Sequence, residues 1–435
     1  MRMDLEDNLI KGKRALENGI SKAQSINPSI KKEKREVAEE ERNILTEDPI
    51  PLYSSLQWCR KMPRPSPSTP RKSLPVWLFV FLFQLIANHD DVLTFYRESG
   101  VDVRKFGDDS RKFVVIGHRG HGMNVLQSAD RRMKAFKENS ILSFNNAAKH
   151  SVDYIEFDVQ VTKDDVAVIF HDNFILHQEH GTIFETRVTD LTVDDFFTYG
   201  PQRKAGREGK SLVRKVNGNI VGWHVESDDH SCTLREAFEK VNPKLGFNIE
   251  LKFDDDVNYD EDHLVHVLQV ILKVVYEHAE DRPIIFSSFQ PDAALLMKKL
   301  QQRYPVYFLT NGGTELYNDE RRNSLEEAKK LAIKGGLDGI VSEVKGIFRN
   351  PSAVREIKGS NLSLLTYGKL NNFPETVHVQ RLMGVDGVIV DLVEEITRAV
   401  DEMNARKGVG DVNGESGCGI DLSFLLNLIS QVTQH

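Results

Sequence analysis

Cysteine is scarce in this 435-residue chain: Cys59, Cys232 and Cys418 are the only three, and they lie far apart. An odd number at such spacing builds no disulfide framework and matches no zinc-ligand pattern, so the default is a reducing compartment with three incidental thiols. Basic excess is missing too. Lys and Arg number 57 against 65 Asp and Glu, for a formal net charge of −8, without the basic stripe of a dedicated nucleic-acid binder. The apolar run "LPVWLFVFLFQLIA" at 74–87 has fourteen residues, short of the ~20 that a membrane-crossing helix needs. It looks like a signal-peptide core, but it lies too far from the N-terminus for a cleavable signal. Two readings stay open for it: a peripheral membrane contact, or a helix that packs on the domain.

Residues 1–105 read as an N-terminal extension, partly disordered. It is charge-rich at first, with "KKEKREVAEEER" at 31–42, then carries the Pro/Ser linker "PRPSPSTPRKS" at 63–73 and the apolar run. Its Asp and Glu content argues against a transit peptide. At the other end, residues 401–435 form a tail with a short apolar helix, "LSFLLNLI".

Between these ends the pattern is regular. Short β-branched runs at 113–117, 153–158, 245–251, 283–287, 305–309, 338–342, 362–366 and 386–390 alternate with segments of helical spacing such as "TLREAFEKV" and "NSLEEAKKLAIKGG". Asn139 and Asn323, each followed by Ser, read as helix starts, and Gly335 and Gly336 as a helix stop. Eight strands, each followed by a helix, predict an α/β fold of the (β/α)8 TIM-barrel class over 113–400. An open doubly wound sheet is the alternative, but its Gly-rich phosphate loop is absent. A ninth run, "VAVIF" at 166–170, follows strand two too closely for a crossover helix. It must return antiparallel as a β-hairpin, turning near Lys163 to Asp165 and bringing His171 back beside Glu156.

The strand tips carry the chemistry. "VVIGHRGHG" at 114–122 and "IEFDVQVTKDDVAVIFHD" at 155–172 end apolar runs on imidazole and charge, which is costly to bury without partners. Alternation along a strand points Glu156 with Asp158, and Glu250 with Lys252, to one side. In a barrel the C-terminal strand ends form the site, and neighbouring strands lie about 4.8 Å apart. Glu156, Asp158 and Glu250 would therefore crowd together, and carboxylates so close either trap protons or hold a cation. Oxygen donors suit Mg2+ or Ca2+ better than zinc. With a divalent ion the three acids carry −1, and Arg119 and Lys252 bring the site to +1. A phosphodiester monoanion neutralises that charge, with His118 and His171 available as base and acid. His121, His177, His180 and His224 fall in expected loops and read as solvated, and "DDD" at 254–256 as an exposed loop.

The series "GHRG", "KENSILSF", "EFDVQVTKDDVAVIFHD", "FNIELK" and "IFSSF" resembles the motif series of glycerophosphodiester phosphodiesterases from about Phe113 to Ala399. "YGPQR", "FLTNGGTE" and "LSFLLNLI" resemble its plant-type members. The resemblance implies hydrolysis of glycerophosphodiesters such as glycerophosphocholine or glycerophosphoethanolamine to sn-glycerol 3-phosphate and an alcohol. It implies His118 and His171 as the acid/base pair, Arg119 and Lys252 on the phosphate, and Glu156, Asp158 and Glu250 as ligands of a divalent cation, Mg2+ before Ca2+. Glu138 matches a further site position, while Asn139 is expected to cap the helix that follows; Ser140 replaces the family's usual Thr, and Asp165 its usual Gly at the hairpin turn. Plant-type members include plastid and cytosolic proteins, so both addresses stay open. Residues 172–231 fill a family insertion slot, and the basic "KAGREGKSLVRK" at 204–215 could form a lid over the mouth or solvated surface. Two rivals remain: a lysophospholipase D that reaches membranes through 74–87, and a catalytically silent binding module.

Overall fold

The computed structural model describes residues 112–408, apart from Ala205 and Asp256. The expected extension 1–105, its apolar 74–87 segment and the "LSFLLNLI" helix lie outside the described residues. Eight parallel strands close into a barrel: β1 (Val114–Gly117), β2 (Tyr154–Val161), β8 (Gly246–Leu251), β9 (Ile284–Ser288), β10 (Val306–Thr310), β11 (Gly339–Glu343), β12 (Ser363–Tyr367) and β13 (Gly387–Val390). β1 pairs with β13 on one side and with β2 on the other, which leaves no edge in the ring. Each expected strand is present, beginning one residue later and ending within three residues of the expected end.

Alternation explains both layers of the core. Val115, Ile155, Phe157, Phe247, Ile249, Phe286 and Phe308 point outward and pack under the helices. Their neighbours Ile116, Ile285, Tyr307, Val341, Leu365 and Ile389 point inward and fill the barrel. On β2 and β8 the outward positions are apolar, so the acids between them, Glu156, Asp158 and Glu250, face the interior and are buried.

The ninth run is β3 (Ala167–Ile169), antiparallel to β2 with Val159 opposite Ile169 and Val161 opposite Ala167. Its turn places Asp165 at φ 59°, a left-handed conformation that Asp tolerates better than most side chains, so the family's glycine is dispensable here. The register sets His171 across from Phe157, one residue along from the level of Glu156.

The insertion is a small sheet of its own, β5 (Thr182–Arg187), β4 (Phe174–Glu179), β6 (Leu212–Val216) and β7 (Asn219–Gly222) in that spatial order, all antiparallel. Ile175, Val188, Phe196, Leu212 and Trp223 form its core together with Val168 and Phe170 of the hairpin arm, so it is anchored on the hairpin.

Local details correct three expectations. Ser140 and Ser324, not Asn139 and Asn323, cap the helices Ile141–Ala147 and Leu325–Gly335, their hydroxyls accepting from the amides of Ser143 and Glu327. Gly336 ends the second helix at φ 65°, as the sequence suggests. His177 is not a solvated loop residue: it lies buried on β4, stacked on Phe184. The acidic loop is paired rather than free, Asp254 with Arg187 and Asp255 with Arg322 at 2.6 Å, while Asp256 lies outside the described residues. The last helix runs Val393–Gly408.

Candidate active site

β1 ends in a tight turn. Arg119 (φ 50°) and Gly120 (φ 94°) are both left-handed, and a Cβ on Gly117 would meet the Gly120 carbonyl oxygen at 2.0 Å. The ladder continues one residue past the strand, the His118 amide donating to the Val390 carbonyl at 2.9 Å. His118 is therefore fixed at the C-terminal mouth. Its Nδ1 lies 2.8 Å from Asp391 Oδ1, and its Nε2 3.9 Å from Glu156 Oε2. Asp391, at the tip of β13, also accepts from the Met123 amide at 3.0 Å and from Asn372 Nδ2 at 2.9 Å. Burial opposes a charge on His118, but Asp391 outweighs it and holds the imidazole above its ordinary value. The same contact overcomes burial at Asp391 and keeps that carboxyl below its usual range.

His171 follows the hairpin arm, with Nδ1 2.7 Å from Asp172 Oδ1. Its shift is opposite. Burial, reinforced by the positive charges of Arg119 and Lys252, pushes His171 below its ordinary value. Asp172 stays ionised despite burial, because His171 and Arg214 stabilise its charge. An ionised carboxylate can only accept, so each ring carries a proton on Nδ1, which leaves Nε2 to give or take a proton.

Between the rings stand Glu156, Asp158 and Glu250, each offering an oxygen within 4.8 Å of the others. Glu156 Oε1 and Asp158 Oδ1 are buried without a hydrogen-bond partner. Orphaned buried carboxylate oxygens are costly unless a cation meets them; the trio therefore fits a hard divalent ion in donor type, number and spacing. Burial and the neighbouring Asp158 drive Glu156 upward, while at Asp158 His171, Arg119 and Lys252 overcome the burial and drive it down.

The cationic residues complete the wall. Lys252 Nζ sits 3.0 Å from Glu250 and 3.8 Å from Asp158. Arg119 donates its backbone amide to Glu156 Oε2 at 2.9 Å, approaches Asp158 with Nε at 3.5 Å and gives Nη1 to Glu138 at 2.9 Å. Glu138 stands outside the acidic trio. It is tied to Arg119, to Arg214 at 2.7 Å and to the Asn124 amide, and the two guanidiniums, overcoming burial, hold it far below its usual range.

All the residues expected from sequence meet at this one end of the barrel. Sequence reading missed the residues that hold them. Asn139 does not cap the helix but donates to Asp158 Oδ2 at 2.8 Å. Asp391 ends a strand in "VIVD" as visibly as Glu156 and Asp158 sit in theirs, and Asp172 lies inside a quoted motif; the strand-tip rule reaches both. Arg214 gives no such signal, because its strand belongs to the insertion.

A family model described as the glycerophosphoryl diester phosphodiesterase family matches residues 118–395. The chain is 60% identical over 331 residues to the Arabidopsis thaliana protein named glycerophosphodiester phosphodiesterase GDPD1, chloroplastic, covering 75% of this chain and 92% of the relative. It is 57% identical over 337 residues to Arabidopsis thaliana GDPD2, covering 74% of this chain and 90% of that one. A crystal structure from Silicibacter pomeroyi, of a protein assigned by name to the glycerophosphoryl diester phosphodiesterases, matches with a TM-score of 0.52 at 19% identity, over 68% of this chain and 95% of that one. That likeness supports the barrel fold.

Proposed function

Because this chain belongs to the glycerophosphoryl diester phosphodiesterase family, we propose that its strand-tip site hydrolyses deacylated glycerophosphodiesters, glycerophosphocholine and glycerophosphoethanolamine among them, to sn-glycerol 3-phosphate and the free alcohol. One observation carries the reading: two imidazoles with free Nε2 atoms flank a buried acidic trio and two cations at the same end of the barrel.

Glu156, Asp158 and Glu250 would hold the divalent cation, Mg2+ before Ca2+ for an all-oxygen set, which when bound polarises the phosphoryl oxygen. Arg119 presents a planar fork and Lys252 a point charge to the non-bridging phosphate oxygens. The opposed shifts of the histidines divide the proton work. His171, neutral at working pH, takes a proton at Nε2 from the nucleophile, either water or the substrate's own glycerol hydroxyl. As the new O–P bond forms and the bond to the departing alcohol breaks, His118 delivers its Nε2 proton to the leaving alkoxide. When the glycerol hydroxyl attacks, the product is a cyclic phosphate that water then opens with the two roles reversed. The chloroplastic relative supports a plastid address.

The test is release of glycerol 3-phosphate from glycerophosphocholine with EDTA, Mg2+ or Ca2+, in wild type, His171→Ala and Glu250→Ala. Metal-dependent release lost in both variants is the expected result. No release from the wild type under any metal overturns the reading.

A further inference from the structure

The inserted sheet reaches the reaction centre through Arg214. Arg214 sits on β6, paired with Val221 of β7, and its guanidinium lies 3.8 Å over the ring of Trp223, one residue past β7. Trp223 is itself buried and pinned, its Nε1 donating to Asn124 Oδ1 at 3.0 Å. From that platform Arg214 Nε donates to Asp172 Oδ2 at 2.8 Å and Nη2 to Asp172 Oδ1 at 3.1 Å. Nη2 also donates to Glu138 Oε1 at 2.7 Å. Each carboxylate then holds a residue the reaction needs: Asp172 Oδ1 accepts from His171 Nδ1 at 2.7 Å, and Glu138 Oε1 from Arg119 Nη1 at 2.9 Å. One planar fork thus stands behind both the imidazole and the phosphate-facing guanidinium.

We propose that Arg214 is a positioning residue for the reaction: it locks Asp172 behind His171 and Glu138 behind Arg119, so that the insertion completes the half of the site that the barrel strands leave open. The inference rests on the function proposed above. A lysine cannot replace it, because a single ammonium has no rigid fork with which to engage two carboxylates. Without Arg214, Glu138 keeps Arg119 and the Asn124 amide, but Asp172 is left with His171. Asp172 would then place an unshared negative charge against a ring that otherwise faces Asp158, Arg119 and Lys252. Arg214 touches none of the three acids expected to hold the cation, so its loss acts on orientation and proton transfer rather than on metal uptake.

The experiment compares wild type, Arg214→Ala and Arg214→Lys with glycerophosphocholine and Mg2+, and follows the His171 ring by NMR titration in all three. We expect Arg214→Ala to lower kcat by about ten- to a hundredfold, the usual scale for removing a partner that orients a reacting group, with KM little changed. Its His171 titration and the acid limb of the rate profile should both move to higher pH. Arg214→Lys should return the titration toward wild type and restore kcat only in part. Wild-type kcat and an unmoved titration in Arg214→Ala overturn the proposal, as does a kcat loss shared equally by Ala and Lys with the titration unmoved. Should Arg214→Ala fail to fold, full kcat in Arg214→Lys overturns it. If the wild type releases no glycerol 3-phosphate, it is the function that fails, and the ring titration alone decides the role of Arg214.

Discussion

His118 and His171 flank the same acidic trio, yet two different kinds of structure hold them. The His118 side is built from the barrel. Asp391 ends the neighbouring strand β13, and Asn372, in the turn after β12, holds Asp391 from both its amide and its carbonyl oxygen. The remaining partners of that carboxylate are neutral donors, so its charge acts undivided on His118 and the ring is pushed up. The His171 side is built from the hairpin arm and the inserted sheet. There Asp172 shares its charge with Arg214, while Arg119 and Lys252 face the ring, and His171 is pushed down. Two rings with the same immediate partner type therefore differ because at His118 Asp391 outweighs burial, whereas at His171 burial and the two facing cations outweigh Asp172.

That contrast can be broken at several levels. Removing either ring has the largest expected effect: His118→Ala and His171→Ala should each lower kcat by about 10²- to 10⁴-fold. An alcohol that leaves as a stabilised anion should rescue only the His118 variant, because it needs no proton. Equal failure of both variants on such a substrate would contradict the division of roles.

Phe196→Ala empties the core of the insertion and should destabilise it by about 3–5 kcal/mol. Hydrogen exchange should show β4 to β7 opening while the barrel strands stay protected. Uniform loss of protection would mean that barrel and insertion fold as one unit.

The two aspartates separate the limbs of the pH profile. His171 must be neutral, so activity should rise with pH through a value below 6.5; His118 must be protonated, so activity should fall through a value above 6.5. Asp172→Asn removes an anion from His171, lowers its affinity for protons further and should move the acid limb to lower pH. Asp391→Asn does the same to His118 and should draw the alkaline limb down, narrowing the profile. Each should cost about ten- to a hundredfold in kcat. Shifts on the opposite limbs would reverse the roles of the rings.

The smallest effect comes from helix caps. Ser140 and Thr192 cap helices in the barrel and in the insertion, each accepting from the amide three residues on. Either change to Ala should cost about 1 kcal/mol in thermal unfolding. Ser140→Ala should also slow turnover, since Glu138 and Asn139 lead directly into that cap, whereas Thr192→Ala should leave turnover intact.

Much of this site is legible in the chain because it depends on alternation. "IEFDV" and "FNIEL" put apolar residues on one face and acids on the other, and a closed barrel turns that second face inward. The cap falls on Ser140, one residue past Asn139, and the chain alone does not separate the two because Asn and Ser cap equally well in sequence. Only the left-handed turn at Asn139 (φ 54°) shows that its amide is aimed at Asp158 instead. His177 sits in a stretch without strong strand signals, and it is the pairing with β5 that makes it a buried strand residue.

The sequence by itself determined the number and order of the barrel strands, the hairpin on strand two, the inward face of the acids and the presence of two histidines at strand ends, because each follows from residues within a few positions of one another. Only the tertiary structure decided which aspartate serves which histidine, and with what competition. Asp391 lies 273 positions from His118, and Arg214 42 positions from Asp172. Charges act through space rather than along the chain, so the proton affinities of the two rings exist only once the barrel has closed and the insertion has folded against it.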